Sequence, residues 1–141
     1  MNDANSSGPA KEPRRRPSPD RLALAVVDDD DEVRKALGRL LRSLGHDVRV
    51  FASAEAFEAD PAAPDCLILD IRLPGLTGLE LRERIRLRGS SMPIVFITGE
   101  GGPFPRDSAA HPCLPFLAKP FDDNELIAAI IEAMAAAPDA R

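Results

Sequence analysis

Residues 65–78 read DCLILDIRLPGLTG, and the order of residue types within them decides the fold. Cys66 to Leu69 is an apolar run that meets a single carboxylate at Asp70 and then breaks into the loop residues Pro74 and Gly75. An apolar run of this length with no alternation reads as a strand covered on both faces, as in a parallel sheet. In such a sheet ligands bind just beyond the carboxyl ends of the strands. An acid at that point is a candidate site residue.

Working outward, the chain alternates short apolar strands with longer helical segments. Leu22 to Val27 reads as a first strand, and Asp31 is the expected N-cap of a helix running to about Leu44. Val33, Leu37, Leu40, Leu41 and Leu44 recur at three- and four-residue spacing, and Gly45 supplies a stop. Asp47 to Phe51 reads as a second strand, and Ser53 can cap a short helix through Phe57. Beyond the opening stretch, Thr77 begins a helix through about Arg88 with Leu81 and Ile85 inward. Pro93 to Thr98 is a fourth strand. Leu114 to Ala118 is a fifth, acceptable with Pro115 in it only at a sheet edge. The last helix starts at Asp122 or Asp123 and runs to Met134, with Leu126, Ile127, Ile130, Ile131 and Met134 as its expected buried stripe.

Five strands with intervening crossovers specify an α/β fold with one parallel sheet. All strands then point the same way. Asp28 and Asp29 after the first strand, Asp70 after the third, Thr98 after the fourth and Lys119 near the fifth gather at one edge.

At 141 residues and 44% apolar content the chain is sized for one core. A net charge of −5 offers no basic face for nucleic acid, so direct DNA contact is not expected. Two cysteines, Cys66 and Cys113, form neither a CxxC pair nor a disulfide framework. No run is long enough for a membrane span or an export signal, and a cytoplasmic setting is expected. Residues 1–20, rich in proline and carrying Arg14-Arg15-Arg16, read as a disordered tail. The folded unit is expected over residues 21–136, with 137–141 as a short C-terminal tail.

Three carboxylates brought together raise one another's proton affinity unless a cation joins them. An oxygen-only ligand set without His or Cys suits a hard divalent ion, Mg²⁺ above others. Thr98 and Lys119 beside it suit phosphoryl oxygens, and a carboxylate can itself be the nucleophile that forms an aspartyl phosphate. The set therefore predicts a phosphoacceptor. Neither His46 nor His111 is assigned a function.

The segments VVDDDDEVRKAL (26–37), LILDIRLPGLTGLEL (67–81), PIVFITGE (93–100) and AKPF (118–121) resemble the receiver domain of two-component response regulators. The resemblance covers about Leu22 to Met134. With SAEAF (53–57), its flavour is that of receivers preceding a LuxR/FixJ-type helix-turn-helix output domain; such a domain is not expected here, and a stand-alone receiver is.

The resemblance implies a flavodoxin-like (βα)5 fold with strand order 2-1-3-4-5. It implies that Asp70 accepts a phosphoryl group from a phosphohistidine on a sensor histidine kinase or a histidine phosphotransfer protein. Asp28 and Asp29 would hold Mg²⁺, Asp29 the more direct ligand, with the backbone carbonyl of Arg72 completing the shell. Thr98 and Lys119 would contact the phosphoryl oxygens, the peptide before Pro120 would be cis, and Phe116 would be the aromatic switch. The partner that receives the signal is not identified by these motifs.

The sequence departs from the family between Thr98 and the fifth strand. Residues 99–115, GEGGPFPRDSAAHPCLP, contain four prolines and three glycines, so the fourth helix is expected to be missing or vestigial. Two other function classes remain. A phosphohydrolase of the aspartyl-phosphate type commonly has a second Asp two residues on, where this chain has Arg72. A phosphorylation-independent interaction module of the same fold is the other.

Overall fold

A computed structural model describes residues 21–60, 63–99 and 116–136. The order is β1 (Ala23–Val27), α1 (Asp31–Ser43), β2 (Asp47–Phe51), α2 (Ala54–Glu58), β3 (Cys66–Asp70), α3 (Gly78–Leu87), β4 (Ile94–Thr98), β5 (Phe116–Ala118) and α4 (Asp123–Ala136). The strands form one sheet in the order β2-β1-β3-β4-β5, parallel at every pairing. This is the flavodoxin-like arrangement. β3 lies at the centre, and β5 lies at an edge, beside β4 only.

Strand alternation divides the core into two layers. Leu24 and Val26, Cys66 and Ile68, and Val95 and Ile97 face a layer closed by α1 and α4. Ala25 and Val27, Leu67 and Leu69, and Phe96 face the other, closed by α2 and α3. The three inner strands are buried on both sides, which is why they read as unbroken apolar runs.

Three details of the helices differ from the sequence expectation. The N-cap of α1 is Asp30, whose carboxylate accepts from Glu32 and Val33 N–H, while Asp31 is the first helical residue and pairs with Arg34 and Lys35. Leu44 is the C-cap of α1 and 44% exposed, because the turn that Gly45 closes onto Arg42 carries it off the packed face. On α4, Ile131 is 63% exposed, and the buried residues are Leu126, Ala129, Ile130 and Ala133. Ile131 lies about 100° around the helix from Ile130. The face against the sheet is therefore the one with two alanines.

The expected fourth-helix segment, 99–115, is described only at Gly99, so its missing helix lies outside the described residues, as do the two tails and residues Leu114 and Pro115 of the fifth strand. Among the described residues there are four helices, and none is long and apolar enough to cross a membrane.

Candidate functional site

Strand register sets the geometry of the site. Val27 pairs with Leu69, so Asp28 follows β1 at the level where Asp70 ends β3. Asp70 in turn pairs with Ile97, one residue before Thr98, and Thr98 pairs with Ala118, one residue before Lys119. Asp28 and Asp70 thus lie level, Thr98 stands one residue further on and Lys119 one further again, so the four ends form a shallow step. Lys119 N–H donates to the Thr98 carbonyl at 2.8 Å, continuing the ladder past the end of β5. The Lys119-Pro120 peptide is cis.

Asp28, Asp29 and Asp70 come together there. One carboxylate oxygen from each lies within 4.8 Å of the others. Asp28 is fully buried, Asp70 is 4% exposed, and Asp29 is open to solvent. The Lys119 ammonium stands against the two buried acids, with Nζ 2.8 Å from Asp28 Oδ2 and 3.8 Å from Asp70 Oδ2. The other oxygen of each acid is fixed by backbone: Asp28 Oδ1 accepts from Asp30 N–H and Asp70 Oδ1 from Arg72 N–H, both at 2.9 Å. Each carboxylate is oriented by an amide two residues on.

Burial pushes the Asp70 carboxyl up to about 6, and the charges of Asp28 and Asp29 add to it against the Arg72 N–H and Lys119. Partial burial works against the Lys119 ammonium, but its hydrogen bond to Asp28 and the negative charges of Asp28, Asp70 and Asp30 outweigh that and hold it above its usual range. Three acids against one ammonium leave an excess of negative charge at oxygen donors. That is the donor set a hard divalent cation fits.

Thr98 is fully buried at the end of β4. Phe116 opens β5, its backbone opposite Phe96. Arg72 is exposed, immediately after the Asp70 turn. The structure thus gathers Asp28, Asp29, Asp70 and Lys119 around one point, places Thr98 at the adjoining strand end, and sets Phe116 two residues back along the edge strand.

Two contributors were absent from the sequence reading. Arg34 Nη1 donates to the Asp28 carbonyl at 2.8 Å while Nη2 holds Asp31 at 2.9 Å, bracing the acidic turn from α1. Gly78 opens α3 so close to β3 that a Cβ there would stand 2.3 Å from the Asp70 carbonyl oxygen. From sequence Gly78 was only the second residue of the helix expected from Thr77, since the close approach arises from the return of α3 over the strand. His46, unassigned from sequence, accepts the Leu22 N–H on Nδ1 at 3.0 Å at the far end of β1.

Residues 24–131 match the response regulator receiver domain family, and the chain belongs to that family, the receivers of two-component systems. Among similar curated proteins, the response regulator protein TodT of Pseudomonas putida is 38% identical over 119 residues, 82% of this chain and 52% of TodT. The transcriptional regulatory protein FixJ of Azorhizobium caulinodans is 40% identical over 116 residues, 79% of this chain and 54% of FixJ. The solved structure of full-length FixJ from B. japonicum superposes with a TM-score of 0.71 at 38% identity, covering 83% of this chain and 59% of FixJ. The chain spans about half the length of the curated relatives it matches.

Proposed function

We propose that this receiver, over residues 21–136, takes a phosphoryl group from a phosphohistidine onto Asp70 and thereby signals to a partner protein. The observation that carries the reading is the placement of Asp70: a buried carboxylate, oriented by the Arg72 N–H, beside two more acids and an ammonium. A carboxylate with a proton affinity near 6 is mostly ionised at neutral pH and only partly solvated, which suits a nucleophile. Attack by an Asp70 oxygen forms the P–O bond as the P–N bond to the donor imidazole breaks. The electron pair of that bond leaves with the imidazole nitrogen.

Asp28, Asp29, Asp70 and the Arg72 carbonyl would hold Mg²⁺, whose positive charge offsets the negative charge on the transferred group. Lys119 already stands within reach of Asp70 and would pair with one phosphoryl oxygen. The Thr98 hydroxyl at the next strand end would take another, and Phe116 would follow its movement. The phosphoryl donor is a sensor histidine kinase or a histidine phosphotransfer protein, and no step calls on nucleic acid or a membrane.

Incubation with acetyl phosphate and Mg²⁺, followed by intact-protein mass measurement, tests the reading. Wild type should gain the mass of one phosphoryl group and Asp70→Asn none. Equal labelling of both proteins, or of neither, would contradict it and favour the phosphorylation-independent interaction module.

A further inference from the structure

Glu55, in the first turn of α2, reaches out of its own helix to the loop between β3 and α3. Its Oε2 accepts the Leu76 N–H at 3.1 Å across 21 residues of sequence. The same oxygen occupies the space beside Gly75, where a Cβ would stand 2.9 Å from it. Gly75 has φ +73, so glycine serves this turn twice: it adopts the left-handed backbone and leaves room for the carboxylate.

The loop tied in this way begins with the Asp70–Arg72 hydrogen bond and carries the Arg72 carbonyl. At its start Ile71 N–H donates to the Ile97 carbonyl of β4 at 2.9 Å, and further ties are local. Gly78 N–H bonds the Ile71 carbonyl at 3.1 Å, and Thr77 and Glu80 form a capping box within α3. Glu55 holds the later part of the loop, at Leu76, from α2. That element is itself anchored, because Glu58, one turn on, accepts from Arg84 Nε at 3.0 Å and Arg88 Nη2 at 2.9 Å on α3. The loop is thus held against a braced helix by a bond with an ionised acceptor, stronger than its neutral counterpart.

We infer that Glu55 is a positioning residue for the Asp70 site, acting through the Leu76 amide to hold the Pro74–Leu76 turn and, with it, the Arg72 backbone. The inference rests on the reading of that site as a Mg²⁺-dependent phosphoacceptor. Glu55 touches neither the cation nor the phosphoryl group in this scheme. Its effect is on how well the loop is ordered before either binds.

The test uses the full chain and four variants, with Mg²⁺ affinity measured by calorimetry, Leu76 amide exchange by NMR and thermal stability alongside. Glu55→Ala should weaken Mg²⁺ binding by about three- to tenfold and speed Leu76 exchange, since a tie on the loop that carries the Arg72 carbonyl is lost. Glu55→Gln keeps an acceptor and should restore affinity to within about twofold of wild type. Glu58→Ala, which removes the α2–α3 ion pairs, should lower the melting temperature with affinity unchanged. Affinity equal to wild type in Glu55→Ala, while Asp70→Asn loses it, would overturn this inference and leave the phosphoacceptor reading standing. An equal loss in Glu58→Ala would also overturn it, by making the effect one of general stability. A wild type that binds no Mg²⁺ would overturn both.

Discussion

Lys119 Nζ sits 2.8 Å from Asp28 Oδ2 and 3.8 Å from Asp70 Oδ2, so this ammonium is committed to the acid that lies deeper. Asp28 is fully buried and needs a cation. Asp70 is left with the weaker share and keeps its raised proton affinity. The pairing divides the labour between two carboxylates only a strand apart.

Removing that ammonium exposes both dependencies. Lys119→Met should destabilise the metal-free protein at pH 7 by about 2–4 kcal/mol, because a buried Asp28 carboxylate loses its ionic partner. It should also raise the Asp70 carboxyl further above 6, since the Lys119 charge lowers it in the wild type. Urea unfolding measures the first effect and an NMR titration of the Asp70 side chain the second.

The sign of the pH dependence follows from Asp70. Its folded-state value near 6 lies above the ordinary carboxyl value of 3.8, so the folded chain binds the proton more tightly than the unfolded chain does. This contribution makes metal-free stability fall as pH rises from about 4 to about 6, by about 2–3 kcal/mol, and then level off. Asp70→Asn should remove that part of the slope and be the more stable protein at pH 7. Saturating Mg²⁺ should raise the wild-type melting temperature at pH 7 and do so much less for Asp70→Asn.

Gly78 is set by the backbone of Asp70. Gly78→Ala would place its methyl group 2.3 Å from the Asp70 carbonyl oxygen, so β3 and α3 must separate. A loss of about 2–4 kcal/mol is expected by denaturant unfolding, in the range of overpacked core sites. Acetyl phosphate labelling at Asp70 should slow at temperatures where the variant is still folded.

His46 supplies a contrasting position. Its Nδ1 accepts the Leu22 N–H, and Asp65 Oδ2 accepts the Ala23 N–H at 2.8 Å, so both side chains tie the start of β1. His46→Ala leaves a half-buried amide unpaired and should cost about 1–2 kcal/mol. Phosphoryl labelling of the folded protein should be unaffected.

The sequence carried the sheet well because its inner strands are buried on both faces and leave unbroken apolar runs, CLILD above all. It also brought Asp28, Asp29, Asp70 and Lys119 together, since parallel strands return every carboxyl end to one edge. It failed where neighbouring residues are chemically equivalent. Any of four consecutive aspartates could cap α1, and only backbone direction selected Asp30. On α4, apolar character pointed to Ile131, whereas close approach to the sheet selected Ala129 and Ala133. Glu55 and Arg34 were illegible for a different reason: each bonds a backbone group far from it in sequence, and such a bond leaves no pattern in residue types.

Of three neighbouring acids, Asp70 is the one proposed to form the acyl phosphate. Labelling with acetyl phosphate, reduction with borohydride and peptide mapping would identify the residue directly, because borohydride reduces the acyl phosphate to a primary alcohol, with phosphate leaving, and so marks the side chain that carried it. The mark should fall at position 70, present with Mg²⁺ and lost with a chelator. A mark at Asp28 or Asp29, or at Asp70 regardless of the chelator, would contradict it.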